Sequence, residues 1–136
     1  YYHSIIGSQN DRQAAIDSGI NRRINRAKLD YSVLCDELSV EGSIRQQVFT
    51  RYKNMLNVRG EQPAFDPYGN AEFDCQGSVF IIKRSEGGQQ IIALHNFSAD
   101  PVTVQGIPEA SIDLLTGDAM TGPSCQLRPY EFRWLK

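Results

Sequence analysis

One segment limits every other choice this chain can make. Between Ile44 and Arg59 the apolar residues fall at Ile44, Val48, Phe49, Tyr52, Met55 and Leu56, the spacing of one face of an α-helix. Ser43 stands at the N-cap position, Gln46 three residues on predicts a capping box, and Gly60 supplies the stop. A helix with one apolar face and no partner helix has to bury that face on something large. Either the tail of the chain or a further body of protein must supply it.

The tail has a different period. Segments 78–83, 90–96, 102–105, 111–115, 125–127 and 130–135 read as strands, rich in Val, Ile and Phe. Ser85-Glu86-Gly87-Gly88-Gln89 reads as a hairpin loop and Asp100-Pro101 as a turn. Strands recurring every 8–12 residues predict a small antiparallel β-sandwich. About 60 residues is small for a self-sufficient core, so this module is expected to dock on another body. Phe65, Tyr68, Tyr130, Phe132 and Trp134 are expected in its core, the last three on one face by period 2. An exposed aromatic row would instead suggest a starch-binding surface. Pro63 to Asn70 is a turn-rich connector. The boundary is therefore drawn there, with residues 1–70 as one part and 71–136 as the other.

Upstream of the helix, residues 7–42 are rich in Asn, Asp, Ser, Gly and Arg. A short helix is expected over 11–17 and a long loop elsewhere, and long loops are often functional. The aromatic, apolar start Tyr1-Tyr2-His3-Ser4-Ile5-Ile6-Gly7 reads as the end of a buried strand. The chain is accordingly expected to be a fragment of a longer polypeptide. The fold class is α+β.

Composition removes several functions. The 136 residues carry 14 basic and 16 acidic side chains, a net charge of -2. A nucleic-acid or anionic-membrane partner needs a clear basic surplus, which is lacking. No apolar run approaches the ~20 residues of a membrane span. No charged stretch followed by an apolar one opens the chain, so no signal peptide is expected. Cys35, Cys75 and Cys125 form no C-x-x-C pair. They read as reduced, partly buried thiols of a cytoplasmic protein. His3 and His95 are the two histidines. No metal site and no cofactor is expected.

Several motifs in order resemble one family. Tyr1-Tyr2-His3-Ser4, Gly7-Ser8-Gln9-Asn10-Asp11 and Gly19-Ile20-Asn21-Arg22-Arg23-Ile24-Asn25-Arg26 are similar to the end of the barrel of sucrose phosphorylase and its relatives in the α-amylase superfamily. Arg59 and Pro63-Ala64-Phe65 resemble the segment after the last barrel helix there. Leu114-Leu115-Thr116-Gly117 and Leu127-Arg128-Pro129-Tyr130-Glu131-Phe132-Arg133-Trp134-Leu135 resemble the closing strands of the superfamily's C-terminal β-domain.

The resemblance implies that Tyr1-Tyr2 ends the eighth strand of a (β/α)8 barrel. Residues 3–42 would be the loop after it, on the face where barrel active sites lie. Ile44 to Arg59 would be the eighth barrel helix, and residues from about 74 onward the C-terminal domain. It implies retaining chemistry with a carboxylate nucleophile and a carboxyl acid/base. Those carboxylates would precede this chain, so no catalytic residue is assigned here and the isolated chain is expected to be inactive. The parent would be a glucoside phosphorylase of sucrose or glucosylglycerate type. It would transfer glucose to inorganic phosphate, and the missing barrel would be this chain's partner. An amylase-type hydrolase or transglucosidase, or a free-standing carbohydrate-binding β-module, is the alternative.

Six residues are candidates for substrate binding. A guanidinium fork can donate to two sugar hydroxyls or to a phosphate at once, and the resemblance matches Arg26, then Arg22, to a sugar-binding arginine. The alternative is a basic surface turn, with Arg22, Arg23 and Arg26 paired to Asp17, Asp30 or Asp36. Gln9 and Asn10 suit an acceptor hydroxyl; the alternative is that Asn10 or Asp11 caps the following helix. Tyr2 and His3 would line the pocket at the strand end, with His3 otherwise a hydrogen-bonded loop residue.

Overall fold

A computed structural model describes residues 2–136; Tyr1 lies outside the described residues. The chain divides into two compact units, residues 1–56 and 57–136. The division lies upstream of the compositional boundary at residue 70.

The first unit is helical. It holds α1 (Tyr2–Ile5), α2 (Arg12–Ser18), a 3₁₀ turn (Asn21–Asn25), α3 (Tyr31–Ser39) and the greater part of α4 (Ile44–Gly60). The expected strand end at Tyr2 is instead the start of α1. A strand needs a neighbour to pair with, and within this chain the backbone satisfies itself locally. The Ile6 N–H donates to the Tyr2 carbonyl at 3.1 Å and the Ser8 N–H to that of His3 at 2.9 Å. The helix expected over 11–17 runs Arg12–Ser18, capped by the Asp11 carboxylate on the Ala14 N–H at 2.9 Å and closed by Gly19 at φ +64.

The expected long loop contains α3. Asp30 caps it, accepting from the Ser32 hydroxyl at 2.6 Å and from the Val33 and Ser32 amides. Those donors, the Ser32 hydroxyl first, hold its carboxyl below the usual range. At α4 the Ser43 hydroxyl accepts the Gln46 N–H at 3.1 Å, but the Gln46 side chain takes the Gly42 N–H at 3.3 Å rather than that of Ser43. The capping box is thus slipped by one residue. No residue of α4 is buried, and Ile44 and Leu56 are 71% and 50% exposed. Its apolar stripe is half-covered at Val48, Phe49 and Met55 and open at Ile44 and Leu56 among the described residues.

The second unit is built on antiparallel sheets. Four strands pair in the order β1 (Asn70–Gln76), β2 (Val79–Glu86), β3 (Gln89–Asn96) and β6 (Phe132–Leu135), and β4 (Val102–Gln105) pairs with β5 (Ser124–Leu127). Register places Ile81 opposite Leu94 and Ile92 opposite Leu135. These side chains share one face and one buried cluster with Val79, Val104, Ile107, Cys125 and Leu127. A fully buried Leu or Ile here contributes about 2 kcal/mol. On the opposite face Phe65 packs against Trp134, ring centroids 4.8 Å apart, with Arg59 5.0 Å over the Phe65 ring.

Several aromatic expectations are corrected. Tyr68 is 98% exposed, and its amide donates to the Asp66 carboxylate in a tight turn. Tyr130 lies outside β6 at φ +56 and is 69% exposed, because Glu131 turns back to accept the Arg128 N–H at 2.6 Å. Phe132 stands open beside His95, centroids 5.9 Å apart. Residues 111–115 make only isolated bridges, Ile112 to Ala119 and Asp113 to Leu135. There the buried Asp113 carboxylate accepts the Leu115 and Trp134 amides at 3.1 and 3.4 Å. Strand β1 is wholly exposed at the sheet edge; Ala71, Phe73 and Cys75 alternate with polar residues there, a period-2 signal that went unread. Cys35 and Cys75 are exposed, not partly buried; Cys125 is buried, and burial raises its thiol pKa.

Asn96 links the sheet to its loops. Its amide donates to the carbonyls of Asp100 and Arg128 at 2.8 and 2.9 Å, and its carbonyl accepts from the Ser98 hydroxyl at 2.7 Å. Asn96→Ala is expected to cost about 3 kcal/mol, because buried partners are left unpaired. A urea midpoint lowered at constant slope checks it. Burial lowers the His95 pKa below its ordinary 6.5. The unfolded chain therefore binds the proton more readily, and stability falls as pH drops through 6.5 towards the folded value. His95→Gln is expected to flatten urea midpoints across that window.

Candidate functional site

The polar residues of the first unit converge on one cleft of about 900 Å³. Tyr2, His3, Gln9, Asn10, Arg22 and Arg26 all line it, joined by Ser8, Asn25 and Lys28. The elements explain the convergence. Helix α1 presents Tyr2 and His3, with ring centroids 4.1 Å apart. His3 Nδ1 and Ser8 Oγ lie 2.9 Å apart, so His3 is also the hydrogen-bonded loop residue of the alternative reading. The Asp11 N–H donates to the Ile24 carbonyl at 2.8 Å, which ties the polar loop to the 3₁₀ turn. That turn carries Arg22, and Arg26 ends it, its N–H on the Arg23 carbonyl at 2.9 Å.

Between the two possible caps of α2, the structure uses Asp11. The Gln9 and Asn10 side chains are exposed and, among the described residues, make no hydrogen bond, so their amides are free to face a ligand. The arginine turn is likewise unpaired. Among the described residues no carboxylate lies within 4.0 Å of Arg22, Arg23 or Arg26, and the expected pairing with Asp17, Asp30 or Asp36 is absent. Asp17 instead accepts from the Gln13 amide at 2.7 Å, and Asp30 is spent on α3. Arg22, Arg23 and Ile20 line a second, smaller recess with Arg26, so Arg26 borders both spaces.

Sequence reasoning missed Arg45 and Lys28. Arg45 pairs with Glu37 and donates to the Ile6 carbonyl at 3.0 Å and to Ser8 Oγ at 3.3 Å. It holds the polar loop on α4 and on α3. Gly7 completes the hold: at φ +58 a Cβ there would stand 3.2 Å from Val48, a close approach that favours glycine. A signal was available, since Gly7 precedes the polar run and Arg45 opens the helix, but the pairing spans 39 residues.

Comparisons with known proteins bear on the chain as a whole. The chain is 33% identical over 99% of its length to a glucosylglycerate phosphorylase of Allomeiothermus silvanus, and spans 23% of that protein. It is 30% identical over its whole length to the glucosylglycerate phosphorylase of Escherichia coli, of which it spans 25%. Among solved structures, AmyP in complex with maltose matches 94% of this chain and 27% of its own, with TM-score 0.70 and 18% identity. The α-glucosyl transfer enzyme XgtA matches 79% of this chain and 21% of its own, with TM-score 0.58 and 25% identity. No family model matches. The chain is related over its whole length to part of these phosphorylases, and its likeness is to a C-terminal fragment of an α-amylase-family enzyme. It spans about a quarter of the length of the curated relatives it matches. No helix among the described residues is long and apolar enough to cross a membrane.

If Arg45 positions the cleft, Arg45→Met should speed amide hydrogen exchange at residues 6–10 by about tenfold or more, the equivalent of one lost charge-assisted hydrogen bond. Exchange in strands β2 and β3 should not change.

Proposed function

We propose that this chain is the C-terminal end of a retaining glucoside phosphorylase acting on glucosylglycerate. Residues 1–70 would close its barrel with the substrate-side loop and last helix. Residues 71–136 would form its accessory β-sandwich. The single observation that carries the reading is relatedness across the whole chain to named glucosylglycerate phosphorylases. The cleft supports it: Arg22, Arg26, Gln9 and Asn10 offer hydrogen-bond donors where a sugar and its acceptor would sit.

In such an enzyme a carboxylate attacks C1 of the glucosyl unit. The C1–O bond to glycerate breaks, and a carboxylic acid protonates the leaving oxygen. A phosphate oxygen then attacks C1 from the face the glycerate left, and the C1–O bond to the nucleophilic carboxylate breaks. The phosphate proton passes to the acid/base carboxylate, giving glucose 1-phosphate. This chain contributes binding: Arg26 donates to glucosyl hydroxyls, Gln9 and Asn10 meet the acceptor, and Tyr2 and His3 wall the pocket. The open stripe of α4 is the face such a barrel helix would bury.

The test is phosphorolysis by the longest natural polypeptide that contains this chain. Phosphate-dependent release of glucose 1-phosphate from glucosylglycerate is expected, and release from sucrose alone would shift the substrate. Free glucose without phosphate dependence would make the enzyme a hydrolase or transglucosidase and end the reading. Arg26→Ala is expected to lower kcat/KM by about a hundredfold, the scale of one lost transition-state donor, with an unchanged melting curve.

A further inference from the structure

We propose that Lys28, together with Arg22, forms an oxyanion-holding subsite of the cleft, distinct from the sugar-hydroxyl role given to Arg26. Its ligand is a carboxylate or a phosphate: the acid group of an anionic aglycone, or inorganic phosphate itself. This deepens the phosphorylase reading and rests on it for its place in a reaction, but not for the binding event.

The charge balance of the cleft carries the argument. Three of its lining residues are formal cations, Arg22, Arg26 and Lys28, and none is a carboxylate. The whole chain has a net charge of -2, so this is a local concentration and not a reflection of composition. Four acids of the same unit are engaged elsewhere, and Asp36, though not engaged, forms no ion pair with these cations among the described residues. Asp11 caps α2, Asp17 accepts from Gln13, Asp30 caps α3 and Glu37 pairs with Arg45. Among the described residues no salt bridge involves Arg22, Arg26 or Lys28. Charges of one sign gathered along a concave wall focus their field into it and raise the local concentration of the opposite charge.

The two cations are chemically complementary. A guanidinium meets the two oxygens of a carboxylate or phosphate as a fork, and an ammonium acts as a compact point charge on either. Lys28 lies in the exposed link between the 3₁₀ turn and α3, with room for its side chain to follow the ligand. Asn25 and Asn10 add neutral amides to the same wall.

The test is calorimetric titration of the longest natural polypeptide containing this chain with inorganic phosphate, with glycerate and with neutral glycerol. Lys28→Gln should weaken anion binding about tenfold, the scale of one charge-assisted contact, and Lys28→Arg should restore it. Glycerol should be indifferent, and added salt should weaken the anions. Arg51→Gln, on exposed α4 away from the cleft, is the control. Loss of phosphate binding alone makes phosphate the ligand, and loss of glycerate binding alone makes it the aglycone acid. Anion binding unchanged in Lys28→Gln, or weakened equally by Arg51→Gln, overturns the proposal even where phosphorolysis is intact. Lys28-dependent binding in a polypeptide without phosphorolysis leaves this inference standing and removes the functional reading instead.

Discussion

The cleft exists because a loop is fastened to a helix at two adjoining points. Gly7 lets the backbone pass within van der Waals reach of Val48. Arg45 then ties the Ile6 carbonyl and the Ser8 hydroxyl down from the same helix. Without either hold, residues 8–11 have no reason to face the arginine turn. The tie to the arginine turn itself, from the Asp11 amide to the Ile24 carbonyl, is one neutral backbone bond of about 1 kcal/mol. The loop is polar, so packing cannot replace these contacts. Its placement is an electrostatic and hydrogen-bonding matter.

The β unit is ordered by a different force. Its sheet places branched apolar side chains on one face in register, and the second pair of strands adds Val104, Cys125 and Leu127 to the same cluster. Buried polar groups appear where the chain must leave the sheet. Asn96 and Asp113 each bind backbone groups that strand pairing cannot reach. The motif Leu114-Leu115-Thr116-Gly117 therefore has a local explanation. It follows the buried Asp113, whose carboxylate holds the turn while Gly117 closes it at φ +81.

The elements readable in the sequence were those with a strong period or a cap. The helix over 44–60, the strands around Ile81 and Leu94 and the capped helix after Asp11 carry their signals within a few residues. The missed elements lack that. Strand β1 alternates Ala71, Phe73 and Cys75 with polar residues, but over seven exposed residues beside the turn-rich connector the signal is short. Helix α3 reads as loop although Asp30 offers a cap, because its five apolar residues do not fall on one clean face over so short a span. Tyr68 and Tyr130 were misplaced because period alone does not reveal a turn: Asp66 and Glu131 redirect the backbone there. At the cleft, the family resemblance, with which the residue types are compatible, pointed to Arg22, Arg26, Gln9 and Asn10. Lys28 had no motif to mark it, and the role of Arg45 depends on a contact 39 residues away.

The unpaired cations are best understood through their cost. Gathering Arg22, Arg26 and Lys28 on one wall raises the energy of the folded unit through mutual repulsion, modestly at solvent exposure. Acids that would relieve it are nearby in the sequence, yet Asp17 and Asp30 serve helices α2 and α3 instead. A surface shaped only by stability would distribute these charges or pair them. A surface shaped to hold an anion keeps them unpaired, because each internal partner would compete with the ligand. The same reasoning bears on the open stripe of α4. Exposed Ile44, Tyr52 and Leu56 leave apolar area in water that burial would stabilise. Each of these features is a local cost among the described residues, and each is of the kind that binding relieves.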